Sequence, residues 1–272
     1  VDLGNGLRGV EVLQGSNIGI VTTNNVIGGL TTAERNIISG NNSGGVRISG
    51  TTTTSNVIAG NYIGPDATGD GYLPNVAYGV RIEAPQNTIG GSTTAHRNVI
   101  SGHVPSSDNG IVVSNTGLST LIQNNYIGTN ADGDDYLFNG IGITCSGTGV
   151  VIDSNVISAA FYGALVGNVG GGFITNNKSG TNAARTSLLG NGYSIYLVDS
   201  SAVKIGEDPA ANVAPNIIAG GSRTGITITG SGSTNNLIRQ NSIYDNAILG
   251  IDLGNDGVTQ NDPGDTDLAN NQ

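Results

Sequence analysis

The sequence predicts an all-β solenoid, and three observations carry that expectation. A strand-sized unit of the form Gly-apolar-any-apolar returns about once in thirty residues, Asn-x-Ile triplets recur at a fixed spacing, and the composition disfavours helix. Of 272 residues 45 are Gly, while aromatic residues make up 4% and charged residues 11%, so the Ala, Leu, Glu and Lys of long helices are scarce. Val, Ile and Leu nonetheless recur at regular places, and a mean hydropathy of -0.03 is that of a chain able to bury a core.

The strand unit occurs at Gly9, Gly45, Gly79, Gly110, Gly140, Gly163, Gly192, Gly225 and Gly250. Longer stretches repeat as well. NVIGGLTTAERNIISGN from Asn25 returns as NTIGGSTTAHRNVISGH from Asn87 and, decayed, as KIGEDPAANVAPNIIAGG from Lys204. A loop unit appears as GPDATGDGYLPN from Gly64, GTNADGDDYLFN from Gly128 and GTNAARTSLLGN from Gly180. Such self-similarity is the mark of stacked repeats.

Within a repeat, NVIAGNYIG places Ile58 and Ile63 on two short strands separated by a Gly-Asn corner, where Asn tolerates the left-handed conformation. Stacked copies then pair each strand with its successor in parallel sheets, with corner Asn residues in hydrogen-bonded ladders. Parallel crossovers are right-handed. The expectation is a right-handed parallel β-helix of about nine or ten coils, three short strands each, in a rod about 45 Å long. It covers residues 1-254 as one domain, with 255-272 as an acidic tail or the start of a further segment. Val1 at the start and no Met anywhere read as an excised or processed piece of something larger.

A formal charge of -10 with 10 Lys and Arg argues against a nucleic-acid partner. No apolar run approaches the roughly 18 residues of a membrane span, so insertion is not expected. The single Cys145 permits no internal disulfide and follows Ile141 and Ile143 into the core by the strand period. His96 and His103 have no paired ligand and are not expected to bind metal.

Alternate strand residues face outward. The middle position of the strand units reads Glu11, Arg47, Arg81, Val112, Gly142, Leu165, Ser194, Thr227 and Asp252, and the next exposed position includes Glu83, Thr144 and Tyr196. Glu11, Arg47, Arg81 and Glu83 should therefore meet on adjacent rungs. Such a cluster can be an anionic-sugar site, in which paired Arg neutralise a carboxylate and an Arg or carboxylate abstracts the neighbouring proton, or a charge ladder that balances itself.

Asp66 and Asp70 in the first loop unit, and Asn130, Asp132, Asp134 and Asp135 in the second, place oxygens next to Gly as calcium loops do. The tail offers Asp256, Asp262, Asp265 and Asp267 in the same way. Calcium is the cation they would take, with a solvated turn as the alternative. Tyr62 and Tyr126 precede the inward Ile of their strands and face out, either to stack on sugars or to cover the sheet. Arg35 and Arg97 hold the same place in the TTA-x-R-N loop and are expected to anchor it to the next coil.

The strings NVIGG-TTA-RNVISG and NYIGT-A-GD-YL-NG and the ending GIDLGNDGVTQNDPGD resemble the right-handed parallel β-helix repeat of large secreted or surface-attached bacterial proteins, in the pectin-lyase-like superfamily. The resemblance implies a secreted or cell-surface location and a polysaccharide or cell-surface glycan as partner. It leaves function open, because the superfamily spans lyases, epimerases, tailspikes and adhesins. Without the metal-binding and basic motifs of pectate lyases or the Asn-Thr-Asp and Arg-Ile-Lys strings of polygalacturonases, the expectation is a non-enzymatic structural or adhesive segment, with calcium as the ion that would steady it. The alternative is a polysaccharide lyase or epimerase using Arg47, Arg81, Glu11 and Glu83. Open coil ends also offer a route to end-to-end self-association.

Overall fold

The computed structural model describes residues 4–15, 21–104, 108–206 and 214–258. Asp262, Asp265 and Asp267 lie outside them. The chain winds as a right-handed parallel β-helix with three sheets of nine, eight and eight strands. Sheet A runs from Arg8–Leu13 through Gly44–Ser49, Tyr78–Glu83, Asn109–Val113, Ile141–Cys145, Tyr162–Gly167, Tyr193–Val198 and Ile226–Thr229 to Ile251–Leu253, one strand per coil. Sheet B starts at Val26–Gly28 and sheet C at Ile37–Ile38, and every strand in each pairs in parallel with its copy in the next coil.

The core follows from the period of two. Val46, Ile48, Ile58 and Ile63 of one coil and Val80, Ile82, Ile89 and Ile100 of the next are all 0% exposed and lie in one continuous cluster that also holds Cys145. Burial pushes the Cys145 thiol up to about 11, so it behaves as a small apolar side chain.

The corner between sheets B and C is closed by an asparagine ladder. Asn36, Asn61, Asn98, Asn125, Asn155, Asn177 and Asn216 each pass an Nδ2–H to the Oδ1 of the next, ending on Asn241, at 2.8 to 3.1 Å. The Oδ1 also accepts a backbone N–H, as from Asn61 to Asn98. The left-handed residue is the one before the ladder rather than the ladder Asn itself: Gly60 at φ 73°, Asn124 at 61°, Asn176 at 55°. A shorter ladder runs Asn5, Asn41, Asn75 at the corner between sheets C and A.

Two strand units sit two residues away from the frame expected above. In the register Val112 pairs Thr144, and Leu165 pairs Tyr196. The outward column is therefore Glu11, Arg47, Arg81, Val112, Thr144, Leu165, Tyr196, Thr227 and Asp252. Gly142 and Ser194 instead take the corner position of Gly45 and Gly79, where both are buried. Thr227 and Asp252, expected in solvent, are also buried: Thr227 lies between Tyr196 and Asp252, and the Asp252 carboxylate accepts the N–H groups of Asn255 and Gly257 as the chain turns back.

Over the first four coils insertions alternate. Between sheets B and C the coils starting at Val26 and Thr88 carry the long TTA loops, each with a single 3-10 turn, Thr32–Glu34 and Thr94–His96. Between sheets C and A, the coils after Ile63, Ile127 and Ser179 carry hairpins closed by the bridges Pro65↔Tyr72, Thr129↔Tyr136 and Thr181↔Leu188. These hairpins stack on one another through Ala131 N–H to the Gly69 carbonyl and Ala183 N–H to the Gly133 carbonyl.

Candidate functional site

On sheet A the residues expected to meet do meet. Glu11 takes Arg8 at 3.1 Å and Arg47 at 3.0 Å, and Glu83 takes Arg47 and Arg81, each at 2.6 Å. Arg8 and Tyr78, which the sequence reading did not single out, extend the row: Arg8 Nε donates to the Tyr78 hydroxyl at 2.8 Å. The Tyr78 ring lies over Gly44, where a Cβ would stand 2.4 Å from it. Three guanidinium groups and two carboxylates alternate, so the row satisfies itself.

Its chemistry follows. Burial pushes Glu83 up, but hydrogen bonds and charge from Arg47 and Arg81 outweigh it and hold the carboxyl below its ordinary range. A carboxylate held ionised in this way is a weak base. Arg47 is engaged at both ends and its pKa is raised, chiefly by the Glu83 hydrogen bond, so it is not the proton acceptor an elimination needs.

Tyr62 and Tyr126 do face outward on sheet C, but both rings are covered. Arg35 lies 4.0 Å above the Tyr62 centroid and Arg97 4.1 Å above that of Tyr126. Hairpin glycines close the rings from the loop side, since a Cβ on Gly69 would come 2.9 Å from the Tyr62 ring and one on Gly133 2.6 Å from the Tyr126 ring. Val99, Tyr126 and Val156 form a second small core, with Tyr62, Ala131 and Ala183 against it. The faces a sugar would need are occupied. Arg35 and Arg97 anchor their loops as expected, through Nε to the carbonyls of Gly60 and Asn124 in the next coil, both at 3.3 Å.

The acidic hairpins are built as turns. Asp66 Oδ1 accepts the Thr68 hydroxyl and N–H groups from Thr68, Gly69 and Gly71; the hydroxyl above all, with the backbone bonds behind it, holds the carboxyl below the ordinary range against the opposing effect of burial. Asp70, Asn130, Asp132, Asp134 and Asp135 surround a hollow of about 380 Å³ with Tyr136. The Asn130 amide already bridges two of the carboxylates there, donating to Asp70 at 3.2 Å and to Asp134 at 2.9 Å. Among the described residues no three His, Cys, Asp or Glu side chains are placed to share a metal ion, Asp256 included. The expectation of calcium thus rests on the oxygen-rich composition of these loops.

One cluster escaped the sequence reading. Tyr162, Tyr193 and Tyr196, from adjacent sheet A strands, and Phe161 pack together: Tyr162 and Tyr193 stack at 5.3 Å and 14°, Tyr196 meets both edge-on at 5.3 and 5.2 Å, and Phe161 meets Tyr162 at 4.7 Å. Arg223 covers Phe161 and Tyr193 at 5.6 and 5.5 Å. Beside them Phe138, Phe161 and the backbone of Gly190, Gly192 and Gly220 wall a hollow of about 310 Å³, and both phenylalanines are 45% exposed. Polar tips over an apolar, partly wet aromatic surface are what a pyranose ring stacks on.

No protein-family model matches the chain, and no curated protein matches it. Among solved structures, the A-module of an Azotobacter vinelandii mannuronan C-5 epimerase is similar at 13% identity and TM-score 0.40, over 96% of this chain and 88% of that one. The Dettilon tailspike protein is similar at 13% identity and TM-score 0.35, with 87% of this chain spanning 55% of that one. The pentapeptide-repeat protein HetL of the cyanobacterium Nostoc sp. strain PCC 7120 follows at 9% identity and TM-score 0.22, over 93% of this chain and 92% of that one. The strand pairing itself, three parallel sheets with one strand of each per coil, is what establishes the chain as a right-handed parallel β-helix.

Proposed function

We propose that this chain is a non-catalytic β-helix segment of a secreted or cell-surface protein that holds a carbohydrate on the outer face of sheet A. The observation that carries this reading is the cluster of Phe161, Tyr162, Tyr193 and Tyr196 beside the hollow at Phe138. Tyr193 is buried and Tyr162 and Tyr196 are half-buried, but Phe138 and Phe161 are exposed beside the hollow, and this apolar surface suits the apolar face of a sugar, with Arg223 at its rim as a donor. The closed row Arg8, Glu11, Arg47, Glu83 and Arg81 supports the non-catalytic half of the proposal, since every charged group in it is paired with an opposite one. The glycan surface thereby lies further along the sheet than the Arg47 and Arg81 rungs.

The test is retention on a panel of immobilised neutral and acidic polysaccharides, run in calcium and in EDTA, for the wild type and the Phe161→Ala/Tyr196→Ala variant. The expected result is retention of the wild type on at least one glycan and at least ten-fold weaker binding by the variant, with the melting curve still cooperative. Equal retention of both proteins would sink the aromatic site. Unsaturated uronate formed by the wild type and lost in Arg81→Ala would replace the proposal with a lyase.

A further inference from the structure

The uneven corners between sheets B and C leave a walled slot. In the first coil a TTA loop joins Gly28 to Ile37, and in the third another joins Gly90 to Val99, whereas in the second coil Gly60 and Asn61 alone make the turn. Two long loops therefore stand two coils apart, about 9.6 Å, across a tight corner. The hollow between them has a volume of about 300 Å³. The next tight corner, Asn124 and Asn125, has a TTA loop on one side only, because the coil beyond it turns at Ser154 and Asn155.

Gly60 ties both walls to one floor. Its N–H donates to the His96 carbonyl of the second loop at 3.1 Å, and its carbonyl accepts Arg35 Nε from the first at 3.3 Å. Its φ is 73° and a Cβ there would stand 2.2 Å from the Gly29 carbonyl oxygen, so the floor carries no side chain. Arg35 and Arg97 both line the hollow. Each is held from behind, Arg35 by the Tyr62 ring and Arg97 by the Tyr126 ring and by Asn124, which takes Nε and one terminal nitrogen. A guanidinium has five N–H donors, so both groups keep terminal N–H bonds to give. Glu34, next to Arg35 in sequence, is turned to its own loop: its Oε2 accepts the N–H groups of Leu30 and Thr31 and the Thr31 hydroxyl at 2.8 to 3.0 Å. Thr32 and Thr94 add side-chain hydroxyls to the walls, and Leu30 and Val99 add apolar carbon.

We infer that this slot binds one oxyanion group, a carboxylate or a sulfate ester, carried on a hydroxylated molecule the size of a single sugar ring. Two guanidinium groups in one hollow suit a planar or tetrahedral oxyanion, the threonines suit the hydroxyls beside it, and the volume lies at the lower end of small-molecule sites. Walls bonded to a common floor preorganise the site. It lies away from the aromatic patch on sheet A and does not depend on it.

Titration calorimetry at fixed ionic strength tests this with galacturonate, galactose 6-sulfate, galactose and sodium sulfate. The wild type should bind at least one of the two acidic sugars saturably and galactose at least ten-fold more weakly, and the tighter acidic sugar names the group. Arg35→Gln/Arg97→Gln removes the charges. Ala95→Phe, at an exposed position of the second wall, fills the hollow and keeps both guanidinium groups. Each variant should weaken the acidic sugar at least ten-fold, while Phe161→Ala/Tyr196→Ala binds it as the wild type does. Absence of saturable binding to both acidic sugars, or wild-type affinity in Ala95→Phe, would overturn the slot. Sodium sulfate bound more tightly than either sugar would overturn the hydroxylated ligand.

Discussion

His103 does the work of an asparagine above Asn139. Its backbone N–H and its Nδ1 both reach Asn139 Oδ1 at 3.1 Å, while Asn75 Nδ2 approaches its Nε2 at 3.4 Å. The ring thus continues the ladder Asn5, Asn41, Asn75 as a neutral imidazole, proton on Nδ1, and it is 0% exposed. A second proton on Nε2 would face the Asn75 amide donor with no acceptor.

Stability should therefore fall in mild acid. Burial lowers the His103 pKa from 6.5 to about 4, against a smaller opposing effect of the Asn139 bond. The unfolded chain binds the extra proton first, so stability is complete above pH 6.5, falls progressively as pH drops from 6.5 toward 4, and levels off below the folded value. The loss is about 2 kcal/mol by pH 5 and about 3 kcal/mol at pH 4. Urea melts of the wild type and His103→Asn from pH 7 to 4 isolate it: the variant should gain on the wild type steadily as pH drops, and parallel curves would refute the buried neutral ring.

The long ladder should be intolerant at its centre. Asn125 accepts from the backbone and side chain of Asn98 and donates to Asn155 and to the Ile89 carbonyl, all buried. Asn125→Ala orphans several of these groups at once and should cost about 3 kcal/mol or more, read by denaturant unfolding. Asn36→Ala, at the exposed first rung with one ladder partner, should cost about 1 kcal/mol or less.

The sheet A charge row should matter little to stability and only while Glu83 is ionised. Its partners are 27% and 40% exposed, so solvent screens the pairs, and Glu83→Gln should cost about 1 kcal/mol at pH 7. Because the Glu83 pKa is lowered on folding, that stabilisation is present above its ordinary value of 4.5 and disappears as pH falls through the lowered one. The gap between wild type and variant melting temperatures should narrow as pH falls below 4.5 and the carboxyl takes up its proton; a gap unchanged with pH would show that packing, not charge, is lost.

Much of this architecture could be read from residue order, for a physical reason: each coil repeats the same few constraints. Ile58 and Ile63 flanking a Gly-Asn corner fix two strands and a ladder rung without any distant information. The frame slipped at Gly140 because Gly140-Ile141-Gly142-Ile143 satisfies the strand pattern at either glycine, and it slipped at Gly192 because Ser194 stands where other coils have Gly. A period of two cannot choose between them; pairing with Ile111 and Ala164 does. The candidate sites were less legible. Tyr162, Tyr193 and Tyr196 become neighbours only once strand register is known. His103 looked like an idle histidine until the ladder it completes was in view.

Over the first four coils the alternation of TTA loops and hairpins makes the structural unit two coils rather than one. Each of these two pairs carries its own loop, its own hairpin and ladder rungs at both faces, and the two meet through surfaces that are copies of one another, whereas the pair holding the third hairpin has lost its loop between Asp153 and Val156. Duplication or loss of such a pair therefore leaves every junction chemically familiar, whereas loss of a single coil would set loop against loop. Rod length in this architecture can grow or shrink in evolution by even steps, and each added pair is free to drift toward new surface chemistry, as the third hairpin has done with Lys178 and Arg185.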